Sequence, residues 1–170
     1  MNLPNKLTVL RVIMIPFFVF FYLTGNAVIA DLIFIIASLT DMLDGKIARK
    51  YNLVTNFGKF MDPLADKLLV AAALICFIEL GRMPAWIVLI IISREFIISG
   101  FRLVAAEGGK VIAAGKSGKF KTASTMIGLC VWMAFPQVEM VGTVVMWIIV
   151  ITTIYSGVEY FIQNWNCLWD

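Results

Sequence analysis

Four aspartates stand close together in a chain that is otherwise strongly apolar. They make up four of its 11 acidic residues, and we call Asp41, Asp44, Asp62 and Asp66 the acidic cluster. The first two are three positions apart and the last two are four apart, so each pair shares one face of a helix. The connection at 50–59 is rich in residues that favour turns. The sequence therefore predicts two antiparallel helices that present paired carboxylates to each other.

Four converging carboxylates need cations. Two like charges about 4 Å apart repel by roughly 4 kcal/mol at an effective dielectric constant of 20. Arg49, Lys59 and Lys67 could balance them in a purely structural salt-bridge network. The regular spacing favours a metal site instead, because carboxylate oxygens suit Mg²⁺ or Mn²⁺ better than zinc. Paired metal ions of this kind stabilise the attacking and leaving oxygens in phosphoryl chemistry.

Two glycines flank the acidic cluster. Gly45 follows Asp44 directly, and Gly58 lies four positions before Asp62. Glycine inside a helix is destabilising by up to about 1 kcal/mol relative to alanine, so both positions indicate a close approach of backbone or ligand. Small residues also serve helix packing in membranes, and for Gly45 that interpretation stays open. Arg49, one turn beyond Gly45, could bind a phosphate through its planar guanidinium.

The chain contains no histidine. This absence excludes Ser-His-Asp triads, the HExxH zinc motif and a phosphohistidine intermediate. The three cysteines, Cys76, Cys130 and Cys167, lack the spacing of metal ligands. The chemistry open to the protein is therefore that of carboxylates, cations, hydroxyl groups or a bound metal.

Composition places the chain in a membrane. It has 170 residues, of which 61% are hydrophobic and 15% charged, whereas a soluble domain is about half apolar. Its apolar runs approach the roughly 20 residues that a helix needs to cross a bilayer. We predict an all-α, polytopic membrane protein with six transmembrane helices in a single domain, residues 1–170. The predicted spans are 7–24, 27–48, 60–80, 84–105, 121–136 and 140–162.

The distribution of Lys and Arg predicts the orientation. Basic residues precede the first span and crowd the connections after the second and fourth, whereas the opposite side has little beyond Arg82. By the positive-inside rule, both termini and the acidic cluster face the cytoplasm. The segment 1–30 resembles a signal peptide, but Arg11 and Pro16 interrupt its apolar run. We therefore expect an uncleaved first helix in the inner (cytoplasmic) membrane, and no nucleic-acid partner.

The acidic cluster and its neighbours carry a resemblance to a known family. The pattern is Asp41-x2-Asp44-Gly45-x2-Ala48-Arg49-x8-Gly58-x3-Asp62-x3-Asp66. At every fixed position it resembles the signature of the CDP-alcohol phosphotransferases. The resemblance implies a six-helix membrane fold, usually a homodimer, with the signature on the second and third helices. It also implies an enzyme that displaces CMP from a CDP-linked lipid with the hydroxyl group of an acceptor alcohol.

The resemblance further implies a role for each residue of the signature. The metal ligands for Mg²⁺ or Mn²⁺, with two ions per active site, would be Asp41, Asp44, Asp62 and Asp66. Asp66 would also be the catalytic residue, as general base toward the acceptor. The CDP group would contact Asp41, Gly45, Arg49 and Gly58.

Three further stretches resemble the phosphatidylglycerophosphate synthase branch of this family. They are LPNKLTVLRVIMIP near the start, SREFIISGFR at 93–102 and GKFKT at 118–122. That branch uses CDP-diacylglycerol and sn-glycerol 3-phosphate, whose dianionic phosphate calls for basic partners. The predicted ligands of the phosphate are Arg94, Arg102, Lys119 and Lys121. An ion pair of Arg94 with a buried acid, and lysines that only mark the cytoplasmic side, are the open alternatives.

Several other functions use similar residues. Phosphatidylserine, cardiolipin and inositol-phosphate lipid synthases share the signature and differ in the acceptor. Intramembrane prenyl transferases also use DxxD pairs, but their first motif continues to an acid where this chain has Ala48. A divalent-cation channel or carrier would space its acids along a pore, whereas these acids are expected at one depth.

Overall fold

The computed structural model is all-helical over the residues it describes, which are 2–51, 53, 55–107 and 115–165. Its helices are α1 (Leu3–Leu23), α2 (Ala27–Lys50), α3 (Asn56–Glu79), α4 (Ala85–Glu107), α5 (Lys116–Ala134) and α6 (Glu139–Asn164). Each predicted span coincides with one of these helices. The all-α prediction is therefore confirmed, and the signature lies on the second and third helices as expected.

The helices form two compact units, Met1–Arg82 and Met83–Asp170. In the first unit, α1 packs against both α2 and α3. In the second, α6 packs against both α4 and α5. The interpretation of residues 1–170 as one membrane domain stays a prediction.

Left-handed glycines end two helices of the first unit. Gly25 follows α1 with a φ of 88°, and the N–H of Asn26 donates to the carbonyl of Phe21 at 2.9 Å. This is a Schellman motif, which only glycine forms without strain. The same arrangement follows α3 at Gly81, where φ is 66°. The short turn at Gly25 lets α1 and α2 run antiparallel as neighbours.

Side-chain caps tie the beginnings of α1 and α3 together. The Asn2 side chain accepts a hydrogen bond from Asn5 N, and the Thr55 hydroxyl accepts one from Gly58 N. Thr55 Oγ1 also donates to Asn5 Oδ1 at 2.9 Å, and Asn2 Nδ2 donates to the carbonyl of Leu53 at 2.6 Å. The caps satisfy N–H groups that a helix leaves open at its start. They also hold the first turns of α3 beside α1.

An aromatic core closes the other end of the first unit. Phe18 stacks on Tyr22 with a centroid distance of 5.6 Å and also contacts Phe34. Phe77 of α3 contacts Tyr22 at the same centroid distance, and these side chains are all buried. Aromatic rings contribute large buried areas, so this core fixes the three helices against one another.

Glycines allow close packing of α5 against α6 in the second unit. A Cβ atom added to Gly142 would lie 2.6 Å from Trp132 Nε1, and one added to Gly128 would lie 2.9 Å from Val145 Cγ1. Both distances are far below ordinary contact, so only glycine fits at these positions without movement of its neighbour. Close approach at small residues is typical of membrane helices.

The surface of the helices is apolar. Large hydrophobic side chains are exposed on all six helices, among them Phe20, Val28, Phe60, Leu89, Phe120 and Ile162. Two helices, α1 and α6, are long and apolar enough to cross a membrane by length and composition alone. Exposed apolar surface of this extent favours a lipid environment over water.

Candidate active site

A buried arginine of α1 joins the two aspartates of α2. Arg11 Nη1 lies 2.7 Å from Asp41 Oδ1, and Arg11 Nη2 lies 2.5 Å from Asp44 Oδ2. The side chains of Arg11 and Asp44 are 0% and 2% exposed, whereas that of Asp41 is 35% exposed. The guanidinium donates a hydrogen bond to Asp44 and forms an ion pair with Asp41, and its planar shape lets it face both carboxylates at once. The expected convergence of Asp41 and Asp44 on one helix face is therefore found, with Arg11 as their cation.

The first aspartate of α3 also meets α1. Thr8, three residues before Arg11 and fully buried, donates from its hydroxyl to Asp62 Oδ1 at 2.5 Å. Asp62 is close enough to Asp41 and Asp44 for its charge to act on both. Two neighbouring positions of α1 thus gather three acids from α2 and α3.

Gly58 stands in a small space lined by oxygen atoms. A Cβ atom at this position would lie 3.2 Å from Asn5 Oδ1, 3.4 Å from Thr55 Oγ1 and 3.5 Å from Asp62 Oδ2. The sequence predicted a close approach of backbone or ligand at Gly58, whereas the groups that approach it in the structure are the side chains of Asn5, Thr55 and Asp62. Their oxygens make the space polar.

The remaining residues of the signature lie on the same two helices. Asp66 is partly buried one turn beyond Asp62, and Gly45 is partly buried directly after Asp44 within α2. The side chains of Arg49 and Lys59 lie outside the part of the structure that is described. The roles predicted for Asp66, Gly45 and Arg49 stay predictions.

A second charged group lies in the second unit. Glu95 Oε1 accepts from Arg94 Nη1 at 2.9 Å and from Lys121 Nζ at 2.7 Å. Lys121 is 3% exposed, which is rare for a lysine unless it has a partner. The structure thus brings together two of the four predicted phosphate ligands, one from α4 and one from α5.

Arg94 is held between α5 and α6. A Cβ atom on Gly118 would lie 3.8 Å from Arg94 Nη2, and one on Gly157 would lie 3.4 Å from Arg94 Cγ. Arg94 also lines a largely apolar groove of about 950 Å³ between α4 and α6. Its Nε atom is buried without a hydrogen-bond partner, so the guanidinium retains donor capacity.

The other two predicted phosphate ligands are placed differently. Arg102 on α4 and Lys119 on α5 are both exposed. Among the described residues, neither of them joins the group formed by Arg94, Glu95 and Lys121. Their predicted role is supported by charge and position in the chain alone.

Comparison with known families decides the family of this chain. The family model for CDP-alcohol phosphatidyltransferase matches residues 1–155, which include the whole acidic cluster and the group around Glu95. The chain belongs to the CDP-alcohol phosphatidyltransferase family. The resemblance drawn from the spacing of the aspartates is therefore confirmed.

Curated relatives within the CDP-alcohol phosphatidyltransferase family match almost the whole chain. One from Bacillus subtilis is 44% identical over 98% of this chain and 97% of its own length. Relatives from Haemophilus influenzae and Rickettsia typhi are 43% and 37% identical, each over 94% of this chain and over 91% and 95% of their own lengths. All three are named CDP-diacylglycerol–glycerol-3-phosphate 3-phosphatidyltransferase.

The donor chemistry of the acidic cluster fits a divalent metal ion. Within the described residues, no three acids or cysteines converge as a formed metal site, and Arg11 lies against the carboxylates of Asp41 and Asp44. The described contacts use one oxygen of each of Asp41, Asp44 and Asp62, so each has a second oxygen to offer. Three ionised carboxylates against one guanidinium leave a net charge of −2. Hard oxygen donors with that residual charge suit Mg²⁺ or Mn²⁺.

Sequence reasoning missed three residues of this CDP-alcohol phosphatidyltransferase. Arg11 and Thr8 entered the sequence argument only through the LPNKLTVLRVIMIP stretch, and Glu95 was not assigned to the site. An ionisable residue inside an apolar span is a functional signal by itself, and both Arg11 and Glu95 meet that criterion. An ionisable residue inside an apolar span can therefore be recognised from the sequence, but the residue that it contacts cannot.

Proposed function

We propose that the protein transfers the phosphatidyl group of CDP-diacylglycerol to sn-glycerol 3-phosphate, giving phosphatidylglycerophosphate and CMP. The observation that carries this proposal is the agreement among the curated relatives. Each of the three covers at least 94% of this chain, and each is named for this reaction. Other family members that use serine, phosphatidylglycerol or inositol phosphate as acceptor share the signature, but these relatives do not bear their names.

The acidic cluster would bind the pyrophosphate end of the donor through metal ions. Its ligands for Mg²⁺ or Mn²⁺, two ions per active site, would be Asp41, Asp44, Asp62 and Asp66. The ions would neutralise the pyrophosphate and stabilise the departing CMP phosphate. Arg11 supports this role because it holds Asp41 and Asp44 side by side.

The CDP group would lie against the small residues of the signature. Asp41, Gly45, Arg49 and Gly58 would contact it, with Arg49 on a phosphate. The polar space at Gly58 supports this placement, because the side-chain oxygens of Asn5 and Thr55 lie 3.2 Å and 3.4 Å from where a Cβ atom of this residue would stand. A larger residue at Gly58 would fill that space.

Asp66 would act as the general base. It would remove the proton of the acceptor hydroxyl while that oxygen forms a new bond to the phosphorus of the phosphatidyl group. The bond between that phosphorus and the CMP oxygen would break, and CMP would leave with the electron pair. General bases of this kind contribute about 10²- to 10⁴-fold to a rate.

The phosphate of the acceptor would be bound by cations of the second unit. Arg94 and Lys121 would be the principal ligands, with Arg102 and Lys119 as additional positive charges. The buried position of Lys121 supports the proposal, because an ammonium group there interacts with an anion at a low local dielectric constant. The unpartnered Nε of Arg94 is a further donor.

The protein would be a six-span homodimer of the inner (cytoplasmic) membrane with its active site facing the cytoplasm. The apolar surfaces of all six helices support the membrane location, and the basic residues of two connections support the orientation. The homodimer is proposed from the family resemblance alone. Both substrates are then accessible, since CDP-diacylglycerol lies in the bilayer and sn-glycerol 3-phosphate is water-soluble.

An acceptor panel tests the proposed function. Purified protein would be given CDP-diacylglycerol and Mg²⁺ with glycerol 3-phosphate, glycerol, serine, inositol phosphate or phosphatidylglycerol. We expect phosphatidylglycerophosphate and CMP in equal amounts from glycerol 3-phosphate. A faster reaction with any other acceptor would show that the acceptor is wrongly assigned.

A further inference from the structure

The carboxylate of Glu95 holds two cations from different helices with a single oxygen atom. Oε1 is 2.9 Å from Arg94 Nη1 and 2.7 Å from Lys121 Nζ. Glu95 and Arg94 are neighbours on α4, whereas Lys121 lies 26 residues further on, in α5. Glu95 is therefore the group that brings the lysine to the arginine.

The three side chains differ in exposure, and the difference indicates which of them depends on the others. Lys121 is 3% exposed, Arg94 13% and Glu95 21%. An ammonium group so deeply buried needs a charged partner in direct contact, because an unpaired buried charge is strongly destabilising. In the described structure that partner is Glu95.

We infer that Glu95 is a positioning residue for the acceptor subsite, which holds Arg94 and Lys121 as a preformed pair of phosphate ligands. The inference rests on the proposed function, since it assumes that these cations bind the phosphate of the acceptor. Glu95 does not itself contact substrate in this arrangement. It acts through Lys121, which would otherwise have no charged group to hold it at its buried position.

Removing the charge of Glu95 has two opposing effects. It removes a repulsion between the carboxylate and the incoming phosphate, and it leaves Lys121 buried without a counter-charge. The second effect is the larger because Lys121 is almost fully buried, whereas Glu95 is partly exposed to screening by solvent. We therefore expect Lys121 to leave its position in the variant and the acceptor to lose one ligand.

The test compares Glu95→Gln with wild-type protein, using the Michaelis constants for both substrates. We expect the KM for glycerol 3-phosphate to rise about ten-fold, the effect of losing one charge-assisted contact. The KM for CDP-diacylglycerol and the kcat should change much less. Glu95→Asp, which keeps the charge on a shorter side chain, should recover part of the lost affinity.

Glu159→Gln is the matched control. It is the same chemical change in a partly buried glutamate of the same unit, whose carboxylate accepts a hydrogen bond from Gln163 instead of a cation. Its KM for glycerol 3-phosphate should equal that of the wild type. If it shifts as much as Glu95→Gln does, the effect is not specific to the contacts of Glu95 and the inference is wrong.

A double variant separates positioning from folding. If Glu95 acts through Lys121, then Glu95→Gln with Lys121→Gln should have the same KM for glycerol 3-phosphate as Lys121→Gln alone. It should also be more thermostable than Glu95→Gln, because no buried charge is left unpaired. Additive effects on KM would overturn the inference, as would an unchanged or lower KM in Glu95→Gln. Failure of the wild type to use glycerol 3-phosphate would instead overturn the proposed function.

Discussion

Arg11 Nη2 lies 2.5 Å from Asp44 Oδ2, and both side chains are buried. The same guanidinium reaches Asp41 at 2.7 Å with its other terminal nitrogen. The repulsion between two like charges on neighbouring turns of α2 is thereby reduced by a cation from α1, a different part of the chain. The two acids of α2 therefore share a contact with one residue outside the family signature.

The first prediction concerns Arg11 itself. Arg11→Gln should lower the free energy of unfolding by about 3 kcal/mol, because it leaves a buried carboxylate without its cation. The free energy of unfolding of Arg11→Lys should lie between those of the wild type and of Arg11→Gln, since one ammonium group cannot reach both acids in the same geometry. The free energies of unfolding of both variants would be measured in the same detergent.

Lys6→Gln is the control, because Lys6 is at an exposed position of the same helix. Its stability should stay within about 0.5 kcal/mol of the wild type. Equal stability of Arg11→Gln and the wild type would contradict the prediction.

The second prediction concerns the metal. Replacing any one of the four aspartates of the acidic cluster by asparagine should abolish turnover while the protein stays folded, because asparagine keeps the shape and loses the charge. EDTA should abolish the activity of the wild-type enzyme, and addition of Mg²⁺ or Mn²⁺ should restore that activity. Asp31→Asn, elsewhere on α2, is the control and should remain active. Wild-type rates in two or more of the cluster variants would refute a metal site built from these residues.

The third prediction is that the transfer forms no covalent enzyme intermediate. The transfer should be a direct displacement with sequential kinetics, because the chain has no histidine and its clustered carboxylates are assigned to metal binding. CMP release should therefore require the acceptor. Initial rates over a grid of both substrate concentrations measure this, together with CMP release in the absence of acceptor. Isolation of a phosphatidyl-enzyme would show a covalent intermediate and contradict the prediction of direct displacement.

The fourth prediction separates two lysines of the same helix. Lys121→Gln should raise the KM for glycerol 3-phosphate by about ten-fold or more, because a buried charge-assisted contact is worth about 1.5–3 kcal/mol. Lys119→Gln should have a smaller effect, since Lys119 is exposed and its charge is screened. The KM for CDP-diacylglycerol should change little in both. A larger effect at Lys119 would place the phosphate at the exposed side of α5.

The fifth prediction concerns helix packing in the second unit. Gly142→Ala should lower stability by about 1–3 kcal/mol, because the new methyl group would lie 2.6 Å from the indole nitrogen of Trp132. Gly100→Ala is the matched control, since a Cβ atom there meets nothing within 4 Å. It should be neutral or stabilising by up to about 1 kcal/mol. Thermal unfolding of the two variants, side by side, gives the comparison, and equal losses would contradict the packing argument.

Local sequence was sufficient to predict the helices and the family. Six apolar runs predicted six helices because a backbone in an apolar setting must satisfy its own hydrogen bonds. The spacing of the aspartates and Gly58 was sufficient for the family because neighbours on a helix face are separated by three or four residues whatever surrounds them. Both inferences depend only on residues close together in the chain.

The partners of the charged residues could not be found in this way. Arg11 and Asp44 are 33 residues apart, and Glu95 and Lys121 are 26 apart. From the sequence, the nearby Arg49, Lys59 and Lys67 were the natural cations for the acidic cluster, and nothing in the spacing pointed to Arg11 of α1, which the structure places against Asp41 and Asp44. Periodicity tells which face of a helix a residue lies on, but the helix opposite that face is set by the packing of cores such as Phe18 against Phe34. Which acid receives which cation was therefore decided by tertiary structure alone.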